Sequence, residues 1–365
     1  MKSKRLLFVL VLGVGLLTAV FLTTSTQAVQ TADDTGLVHS FDIPYANGNP
    51  QKLVVEQVGP PAKLWFTMPD ADAIGQLVVT STVDFQFQQF QLAANSEPYD
   101  LVFDAANDFV YFTEHSTNKL GRIDVVTKNI AEFPLLSGGS GPAGIAIAPN
   151  GLIWLVQDAA NRVTSFNPTN SGFTDYPYTT PNAQPTDVAA INNNEIWFTA
   201  PAVNNVVRLT PGNGQFSSSA LLLMPGSPTF APGGVTIDSA LPWVSAPSEG
   251  LIGRFAPGTL SLWRWYDVST FAPSPTALTY RANGNQIQIW FVDTASGKAG
   301  QLYTDSNGNL EFRSAIYMPG DDPQPTDIQL DLDGTAWIAN SGSGTIVKWD
   351  PPYYFDIFLP IIMNP

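Results

Sequence analysis

The sequence predicts an all-β fold made of seven similar units, and three observations support this. An aromatic residue followed by a short apolar stretch recurs at intervals of 43 to 47 residues. The surrounding segments alternate polar and apolar residues with the period of strands. Hairpin signals such as Asn150-Gly151 and Asp333-Gly334 separate these strands. The recurring residues are Trp65, Tyr111, Trp154, Trp197, Trp243, Trp290 and Trp337. A period in the forties with this pattern is typical of a seven-bladed β-propeller of four-stranded blades.

The recurring aromatic residue lies in the second strand of each repeat. There we expect it to pack where neighbouring blades meet face to face. Burial of one such side chain stabilises the fold by roughly 2 to 3 kcal/mol. The seven residues are therefore predicted to be core residues.

The N-terminal segment has the features of a secretory signal. Lys2, Lys4 and Arg5 precede an apolar stretch, and small and polar residues lead to Ala28. This predicts a signal peptide over residues 1–28 and a secreted or cell-surface protein, with an uncleaved membrane anchor as the alternative. No later stretch has the ~20 apolar residues that a membrane span requires. We expect the propeller over residues 29–352 and a short apolar tail over residues 353–365.

The composition limits the classes of partner. Three of the 16 basic residues and none of the 31 acidic residues lie before Ala28, so the formal charge of the mature chain is −18. This charge argues against nucleic acid or anionic lipid and is compatible with cations, small molecules, peptides or glycans. The chain has no cysteine, so its stability depends on the core and on closure of the ring. We expect a monomer.

Two segments compete to close the ring by completing the last blade. The segment from Gly36 to Pro44 resembles an outer strand, and pairing it with the last repeat would join the two ends of the chain in one sheet. The segment from Tyr354 to Ile361 also resembles an outer strand and is the alternative. We favour the N-terminal segment, because this pairing removes an open sheet edge.

Several repeats share a fuller pattern: proline, any residue, Gly or Asp and an aliphatic residue; then a hairpin; then Trp-Phe-Thr or a close variant; then an asparagine ahead of a Gly-Arg-Ile-like strand. The clearest example is EPYDLVFDAANDFVYFTEHSTNKLGRID, over Glu97 to Asp124. Over almost all of the mature chain this sequence pattern resembles that of the virginiamycin B lyase (streptogramin lyase) family of seven-bladed propellers. The resemblance implies a lyase that opens cyclic depsipeptide antibiotics by β-elimination with the help of Mg²⁺.

The resemblance also implies where catalytic residues belong. The family carries histidines after the proline that opens the innermost strand in late blades, and acidic residues at the end of the Trp-Phe-Thr strand. After the opening proline this chain has, in blades two to seven, Tyr99, Ala143, Thr186, Gly233, Thr276 and Thr326. None is histidine, and Tyr99 matches a Pro-Tyr of an early family repeat.

At the end of the second strand, only Glu114 and Asp293 could bind Mg²⁺, and they are three or four blades apart. The chain has two histidines. His115 follows Glu114 near the predicted channel mouth, so Tyr99 and His115 are the candidate catalytic residues. His39 lies in the predicted closing strand, where we expect a structural role.

Three aspartates share the repeat position two residues after the opening proline: Asp100, Asp187 and Asp327. With Thr186 and Thr326 they are the candidate ligand-binding residues at the channel entrance. The three carboxylates, with Glu114 and Asp293, could form a rim that holds Ca²⁺ or Mg²⁺. Alternatively, each aspartate caps its own turn by accepting a nearby backbone amide.

Two further motifs have competing interpretations. Asp305, Asn307 and Asn309 alternate as in a calcium loop, although Asn307-Gly308 falls where the repeat requires a hairpin turn. Trp263, Trp265 and Tyr266 form an aromatic cluster that could be a carbohydrate platform or simple strand packing.

Two functions follow as hypotheses. The first is a secreted propeller without the family's catalytic histidines that binds a ligand or partner at the channel mouth. The second is an active Mg²⁺-dependent lyase, or a related hydrolase, that uses Tyr99, Glu114, His115 and Asp293. A structural surface protein attached through its C-terminal tail is a third hypothesis.

Overall fold

The computed structural model describes residues 37–57, 61–220, 231–238, 241–256, 259–283, 286–304 and 310–351. Within these residues, 28 strands form seven antiparallel sheets of four strands each. Three short 3₁₀ turns, Pro69–Ala71, Pro201–Val203 and Pro211–Asn213, connect second to third or third to fourth strands. The predicted signal peptide, the C-terminal tail and the segment from Asp305 to Asn309 lie outside the described residues.

Each blade is one four-stranded sheet. Strand β1 (Leu37–Asp42) belongs to blade seven and precedes the others in the chain. Blade one contains β2 (Leu53–Gln57), β3 (Ala62–Met68), β4 (Ala73–Ser81) and β5 (Asp84–Gln91). Blade two contains β6 (Pro98–Asp104), β7 (Phe109–Glu114), β8 (Lys119–Asp124) and β9 (Ile130–Pro134). Blade three contains β10 (Pro142–Ile147), β11 (Ile153–Gln157), β12 (Arg162–Asn167) and β13 (Gly172–Pro177). Blade four contains β14 (Val188–Asn192), β15 (Glu195–Ala200), β16 (Asn205–Thr210) and β17 (Gln215–Ala220), and blade five contains β18 (Val235–Ile237), β19 (Pro242–Ala246), β20 (Leu251–Ala256) and β21 (Thr259–Asp267). Blade six contains β22 (Pro275–Asn283), β23 (Gln286–Asp293), β24 (Lys298–Thr304) and β25 (Leu310–Tyr317). Blade seven contains β26 (Pro325–Leu330), β27 (Ala336–Asn340) and β28 (Thr345–Asp350), in addition to β1.

The first strands of the blades surround a central channel. Each contacts the first strand of the next blade around the ring, and β26 of blade seven contacts β2 of blade one. The prediction of a seven-bladed propeller is confirmed.

The ring is closed by the N-terminal strand. β1 pairs antiparallel with β28, from Leu37 opposite Asp350 to Asp42 opposite Thr345. Phe41 of this strand is completely buried, with its ring 5.0 Å from that of Phe85 and 6.1 Å from that of Trp337. The favoured prediction for ring closure is therefore confirmed.

The seven recurring aromatic residues are buried, with at most 1% of their surface exposed. Each belongs to an apolar cluster that includes residues of the following blade. For example, Trp197 of blade four packs with Val244 and Ala246 of blade five, and Trp337 of blade seven packs in a cluster with Leu53 and Leu64 of blade one. The aromatic residue is thus the core of each blade interface, as predicted.

Candidate functional site

One end of the channel, where the first strand of each blade begins, is here called the mouth. The repeat position two residues after the opening proline lies at this end, and in blades one to seven it holds Lys52, Asp100, Gly144, Asp187, Gly234, Ala277 and Asp327. These seven residues are called the channel ring. Its charged members line a central cavity of about 310 Å³. The channel therefore has one cation and three carboxylates at its mouth.

Each ring carboxylate joins two blades. The Oδ2 atom of Asp100 accepts the amide of Ile145 (3.1 Å), and that of Asp187 accepts the amide of Val235 (2.8 Å). The Oδ2 atom of Asp327 accepts the amide of Leu53 at 3.0 Å, which connects the last blade to the first. The structure therefore brings the three aspartates together in one ring. Their spacing in the sequence did not by itself indicate that they would lie together.

The same carboxylates also bind their own strands, as the capping alternative predicted. The amide of Leu101 donates to Asp100 Oδ1 (2.8 Å), and the amide of Val188 donates to Asp187 Oδ1 (2.9 Å). Hydrogen bonds to both oxygens of these two carboxylates hold the side chains in fixed orientations. Asp100 and Asp187 are thus structural links between blades as well as channel residues.

Lys52 is the channel-ring residue that the sequence analysis missed. Its Nζ atom lies 3.7 Å from Asp327 Oδ1, and its side chain is 19% exposed. The segment Pro50-Gln51-Lys52-Leu53 fits the opening pattern of the other repeats except that lysine replaces Gly or Asp. Aligning the first repeat on its proline would have identified it.

The charged groups of the ring shift one another's pKa values. Burial raises the pKa of Asp100 to about 7 and also raises the pKa of Asp327. Lys52 opposes both shifts, whereas Asp187 adds to them. The carboxylates in turn raise the pKa of Lys52, Asp327 most strongly, against the opposite effect of burial. The ammonium of Lys52 therefore stays charged in the folded protein.

The stability of the protein should depend on the titration of Asp100. Its pKa of about 7 in the folded state lies above the ordinary value of 3.8, so the folded protein binds this proton more tightly than the unfolded chain. The free energy of unfolding should therefore fall as pH rises from about 4 to about 7, by on the order of 1 kcal/mol per pH unit. Asp327 should act in the same direction. Urea unfolding at several pH values measures this slope, and Asp100→Asn should flatten it. An equal slope in Asp100→Asn would contradict the assignment.

The hydroxyls of the threonines predicted as ligand residues are engaged in hydrogen bonds within the protein. Thr186 Oγ1 lies 3.0 Å from Thr199 Oγ1, and Thr326 Oγ1 donates to the carbonyl of Pro50 in the next blade (3.3 Å). A related bond explains the threonine of the Trp-Phe-Thr pattern. Thr113, which is completely buried, donates to the carbonyl of Ala143 at 2.8 Å. The hydroxyls of Thr326 and Thr113 thus bind backbone carbonyls of the next blade, whereas that of Thr186 bonds within blade four.

Beside the channel, His115 binds Asp158 of blade three and lies next to Tyr99. His115 Nε2 lies 3.1 Å from Asp158 Oδ2, and the rings of Tyr99 and His115 are 5.9 Å apart. The hydrogen bond to Asp158 raises the pKa of His115. The structure thus brings the two candidate catalytic residues together and adds Asp158. Asp158 follows the second strand of its blade, as His115 does. Its repeat position in the sequence could therefore have identified it.

Tyr99 and His115 lie in a cleft of about 560 Å³, called the mouth cleft. Its other lining residues are Gln51, Pro69, Asp70, Asp72, Asn95 and Glu97. Asp72 accepts the amides of Asn95 (2.8 Å) and Glu97 (3.1 Å), so it also orders the wall of the cleft. The cleft is open, polar and rich in carboxylates, with Tyr99 and Pro69 as its apolar surfaces.

Gly141 makes room for the His115 and Asp158 pair. It has a φ of 58°, and a Cβ atom there would overlap Asp158 Oδ1 and contact His115 Nε2. The amide of Asp158 also donates to the carbonyl of Gly141 at 3.0 Å. A side chain at position 141 would therefore displace the pair, in addition to its backbone strain.

The two candidate metal ligands are separate, and both oxygens of Asp293 and one oxygen of Glu114 already accept hydrogen bonds. Asp293 accepts the amides of Ser274 (2.8 Å) and Ser296 (2.9 Å), and Glu114 accepts the hydroxyl of Thr117 at 2.5 Å. Both carboxylates are completely buried, in blades six and two. No group of three or more His, Cys, Asp or Glu that could hold a metal ion occurs among the described residues. These side chains do not fit a shared Mg²⁺ or Ca²⁺ site.

The remaining motifs lie away from the mouth cleft. His39 is opposite Lys348 in the closing strand, and burial lowers its pKa. Trp265 packs over Gly253 of the neighbouring strand, and Tyr266 stacks on Trp243 at 6.0 Å. Trp265 and Tyr266 therefore contribute to strand packing. In the part of the chain that is described, no helix is long and apolar enough to cross a membrane.

A model of the virginiamycin B lyase family matches residues 9–228. The fold is similar to that of virginiamycin B lyase from Staphylococcus aureus, with a TM-score of 0.71 and 24% identity over 85% of this chain and 98% of that one. The values are the same for a catalytically inactive histidine-to-alanine variant of that enzyme with quinupristin. No curated protein matches the chain in sequence.

The fold is also similar to that of hydrazine synthase from Kuenenia stuttgartiensis. The TM-score is 0.67 and the identity 12%, over 84% of this chain and 96% of that chain. A similar propeller thus occurs in proteins with different names and chemistry. At these identities the structural likeness shows the fold, and the residues at the mouth must decide the function.

Proposed function

Because this chain belongs to the virginiamycin B lyase family, we propose that it is a secreted propeller of that family that binds a ligand in the mouth cleft. The observation that carries the proposal is the grouping of Tyr99 and His115 in an open polar cleft at the channel mouth, with Asp158 hydrogen-bonded to His115. Aromatic and ionic groups that converge in a concave site are the usual elements of ligand recognition.

The positions that hold histidines in the family have structural roles in this chain. A Cβ atom on Gly233 would come within 2.6 Å of Ser245 Oγ, so this position does not accommodate a larger side chain. Thr276 Oγ1 lies 2.8 Å from Thr294 Oγ1, and Thr326 Oγ1 donates to the carbonyl of Pro50. A general base is therefore missing at all three late positions, which favours binding over proton abstraction.

His115 is poorly suited to replace that base at neutral pH. Its hydrogen bond to Asp158 raises its pKa, so more of the imidazole is protonated than in a free histidine. A protonated imidazole can donate a hydrogen bond to a ligand but cannot accept a proton. The pair of His115 and Asp158 is thus better suited to hold a ligand.

The chemistry of the cleft indicates the class of ligand. Asp70 and Glu97 supply carboxylates, and Tyr99 supplies an aromatic face. A small molecule, short peptide or glycan with hydroxyl or ammonium donors and one apolar face fits these groups. The same acidic walls disfavour anionic ligands.

A lyase is the second candidate, because Tyr99 and His115 lie side by side in the mouth cleft. In this alternative the chain would act on cyclic depsipeptides of the type B streptogramin class, with Tyr99 and His115 at the reacting atoms. No step is assigned to Mg²⁺, because Glu114 and Asp293 are apart and engaged in other hydrogen bonds.

Incubation of the mature protein with quinupristin separates the two candidates. We expect the antibiotic ring to stay intact with or without Mg²⁺, as followed by chromatography and fragmentation mass spectrometry. Fragmentation is necessary because elimination leaves the mass unchanged, whereas hydrolysis adds one water. Linearisation that is lost in His115→Gln would establish the lyase instead.

Binding is then tested with peptides and oligosaccharides, including quinupristin, by calorimetry. A ligand of the mouth cleft should bind about tenfold more weakly to Tyr99→Ala, which corresponds to the loss of an aromatic contact of about 1.4 kcal/mol. Gly141→Ala should weaken the same ligand by displacing His115. Tyr317→Ala is the matched control, because Tyr317 is 72% exposed on the outer strand of blade six. Equal losses in Tyr99→Ala and Tyr317→Ala would refute the placement of the site.

A further inference from the structure

A second cavity lies at the outer edge of the interface between blades five and six, and is here called the rim cavity. Its volume is about 430 Å³, which is within the range of small-molecule sites. It is formed by the end of the outer strand of blade five, the connection to blade six, and the third and fourth strands of blade six. Its lining includes the aromatic residues Tyr266, Phe271 and Phe312. None of its lining residues belongs to the mouth cleft.

The cavity lies beside a repeated position of the fold that holds a small residue in blade five. In five blades, the residue after the outer strand donates its amide to the carbonyl of the residue before the third strand, at 2.8 to 3.1 Å. These donors are Leu92, Leu135, Tyr178, Val268 and Met318, in blades one, two, three, five and six. Valine is the smallest of the five side chains. The same backbone position therefore fills less space between blades five and six than elsewhere.

The interface of blades three and four shows what fills this space when the residue is large. The ring of Tyr178 lies 5.4 Å from that of Phe198 and 5.2 Å from that of Phe216, both in blade four. Phe312 holds the position of Phe216 in blade six, since each is opposite the fifth residue of the third strand. Val268 has no ring to reach Phe312, whose side chain is 48% exposed. A ring-sized gap therefore remains beside Phe312.

The aromatic walls of the rim cavity are fixed by contacts with the blades. The ring of Tyr266 stacks on that of Trp243 at 6.0 Å, and the ring of Phe271 lies 5.1 Å from that of Phe312. Lys298 Nζ donates to the carbonyl of Phe271 at 2.6 Å and lies 4.8 Å from the centre of its ring. A ligand would therefore meet surfaces that are already ordered, which reduces the entropic cost of binding.

The charges around the rim cavity favour a neutral ligand. Asp267 and Thr270 are the polar residues of its lining. Hydrogen bonds from the hydroxyl and amide of Ser269 to Asp267 Oδ1 lower the pKa of Asp267, so this carboxylate is charged at neutral pH and disfavours anions. The Lys298 ammonium beside the Phe271 ring disfavours a cationic ligand there. Aromatic walls with a carboxylate and a hydroxyl at the edge fit a molecule with one apolar face and hydroxyl groups around it.

We propose that the rim cavity is a second binding site, and that it takes one sugar ring of a neutral glycan. The C–H face of the sugar lies against Phe312 and Tyr266, and its hydroxyls bind Asp267 and Thr270 at the edge of the cavity. The site goes beyond the mouth cleft and does not depend on the function proposed there.

The test titrates the mature protein with neutral tetrasaccharides of glucose, N-acetylglucosamine, mannose and galactose, followed by calorimetry. At least one should bind with a Kd below about 1 mM. Phe312→Ala should weaken this binding about tenfold by removing the aromatic contact, and its fold should persist because Phe312 is half exposed. Val268→Tyr restores the large residue of blade three and should weaken binding by more than about tenfold by filling the cavity.

Two controls make the result specific to the rim cavity. Tyr317→Ala removes an exposed aromatic residue from the same strand as Phe312, outside the lining, and should change the Kd by less than about twofold. Tyr99→Ala alters the mouth cleft and should also leave this Kd unchanged. Choline and benzyl alcohol serve as cationic and apolar probes, and both should bind more weakly than the best glycan.

The proposal fails if none of the tetrasaccharides binds, or if Phe312→Ala binds as tightly as the native protein. Tighter binding of choline or benzyl alcohol that is lost in Phe312→Ala would overturn the assignment to a glycan. If Val268→Tyr does not fold, the comparison of Phe312→Ala with Tyr317→Ala decides alone. Glycan binding that is lost in Tyr99→Ala but kept in Phe312→Ala would belong to the mouth cleft, so the two proposals can be rejected separately.

Discussion

Deletion of residues 37–42 should prevent the mature chain from forming a stable closed ring. This change removes β1, exposes the edge of β28 and leaves a void where Phe41 is completely buried. Removal of one large buried side chain costs about 3 to 5 kcal/mol, and loss of the whole strand costs more, which approaches the total stability of a typical domain. We expect loss of cooperative urea unfolding and aggregation through the open edge.

Two further variants test closure of the ring by β1. Phe41→Ala retains the backbone pairing and should lower the free energy of unfolding by about 3 to 5 kcal/mol. Deletion of residues 353–365 should leave unfolding within about 0.5 kcal/mol of the intact chain, because β1 already occupies the outer edge of blade seven. A larger loss from the C-terminal deletion than from the N-terminal one would contradict closure by β1.

Trp197→Ala should lower the free energy of unfolding by about 3 to 5 kcal/mol by creating a cavity at the interface of blades four and five. Trp197 is 1% exposed and packs with Val244 and Ala246. Its Nε1 atom donates to Glu195 Oε1 at 3.0 Å, so the substitution also removes a hydrogen bond. Urea denaturation monitored by circular dichroism measures the loss.

The controls for Trp197 separate cavity formation from loss of polarity. Trp197→Phe keeps most of the apolar volume and should cost clearly less than Trp197→Ala. Tyr317→Ala removes an exposed aromatic residue and should change stability by no more than about 0.5 kcal/mol. An unchanged midpoint in Trp197→Ala would show that the repeat has been misplaced.

Local patterns in the sequence predicted most of the fold correctly. The period of the aromatic residues fixed the number of blades, because each blade is built from residues close together in the chain and uses the same interface with its neighbour. The hairpin signals located individual strands, because the two strands of a hairpin are also close together in the chain. The sequence left two candidates for the closing strand, since β1 and its partner β28 are separated by almost the whole chain.

The candidate site was predicted less completely. Tyr99 and His115 were identified from their repeat positions, but the hydrogen bond between His115 and Asp158 depends on how blades two and three are placed side by side. Glu114 and Asp293 have the residue types of metal ligands, yet they lie in different blades, and local hydrogen bonds engage both oxygens of Asp293 and one oxygen of Glu114. Residue type alone does not reveal which polar groups the backbone will occupy.

The sequence by itself determined the strand period, the seven blades, the core aromatic residues and the family resemblance, because all of these depend on short-range pattern. Only the tertiary structure decided which terminus closes the ring, that Lys52 meets Asp327 across the first and last blades, and that three dispersed aspartates share one channel. The physical reason is that ring closure places residues by the geometry of the whole propeller, and no local spacing encodes those distances.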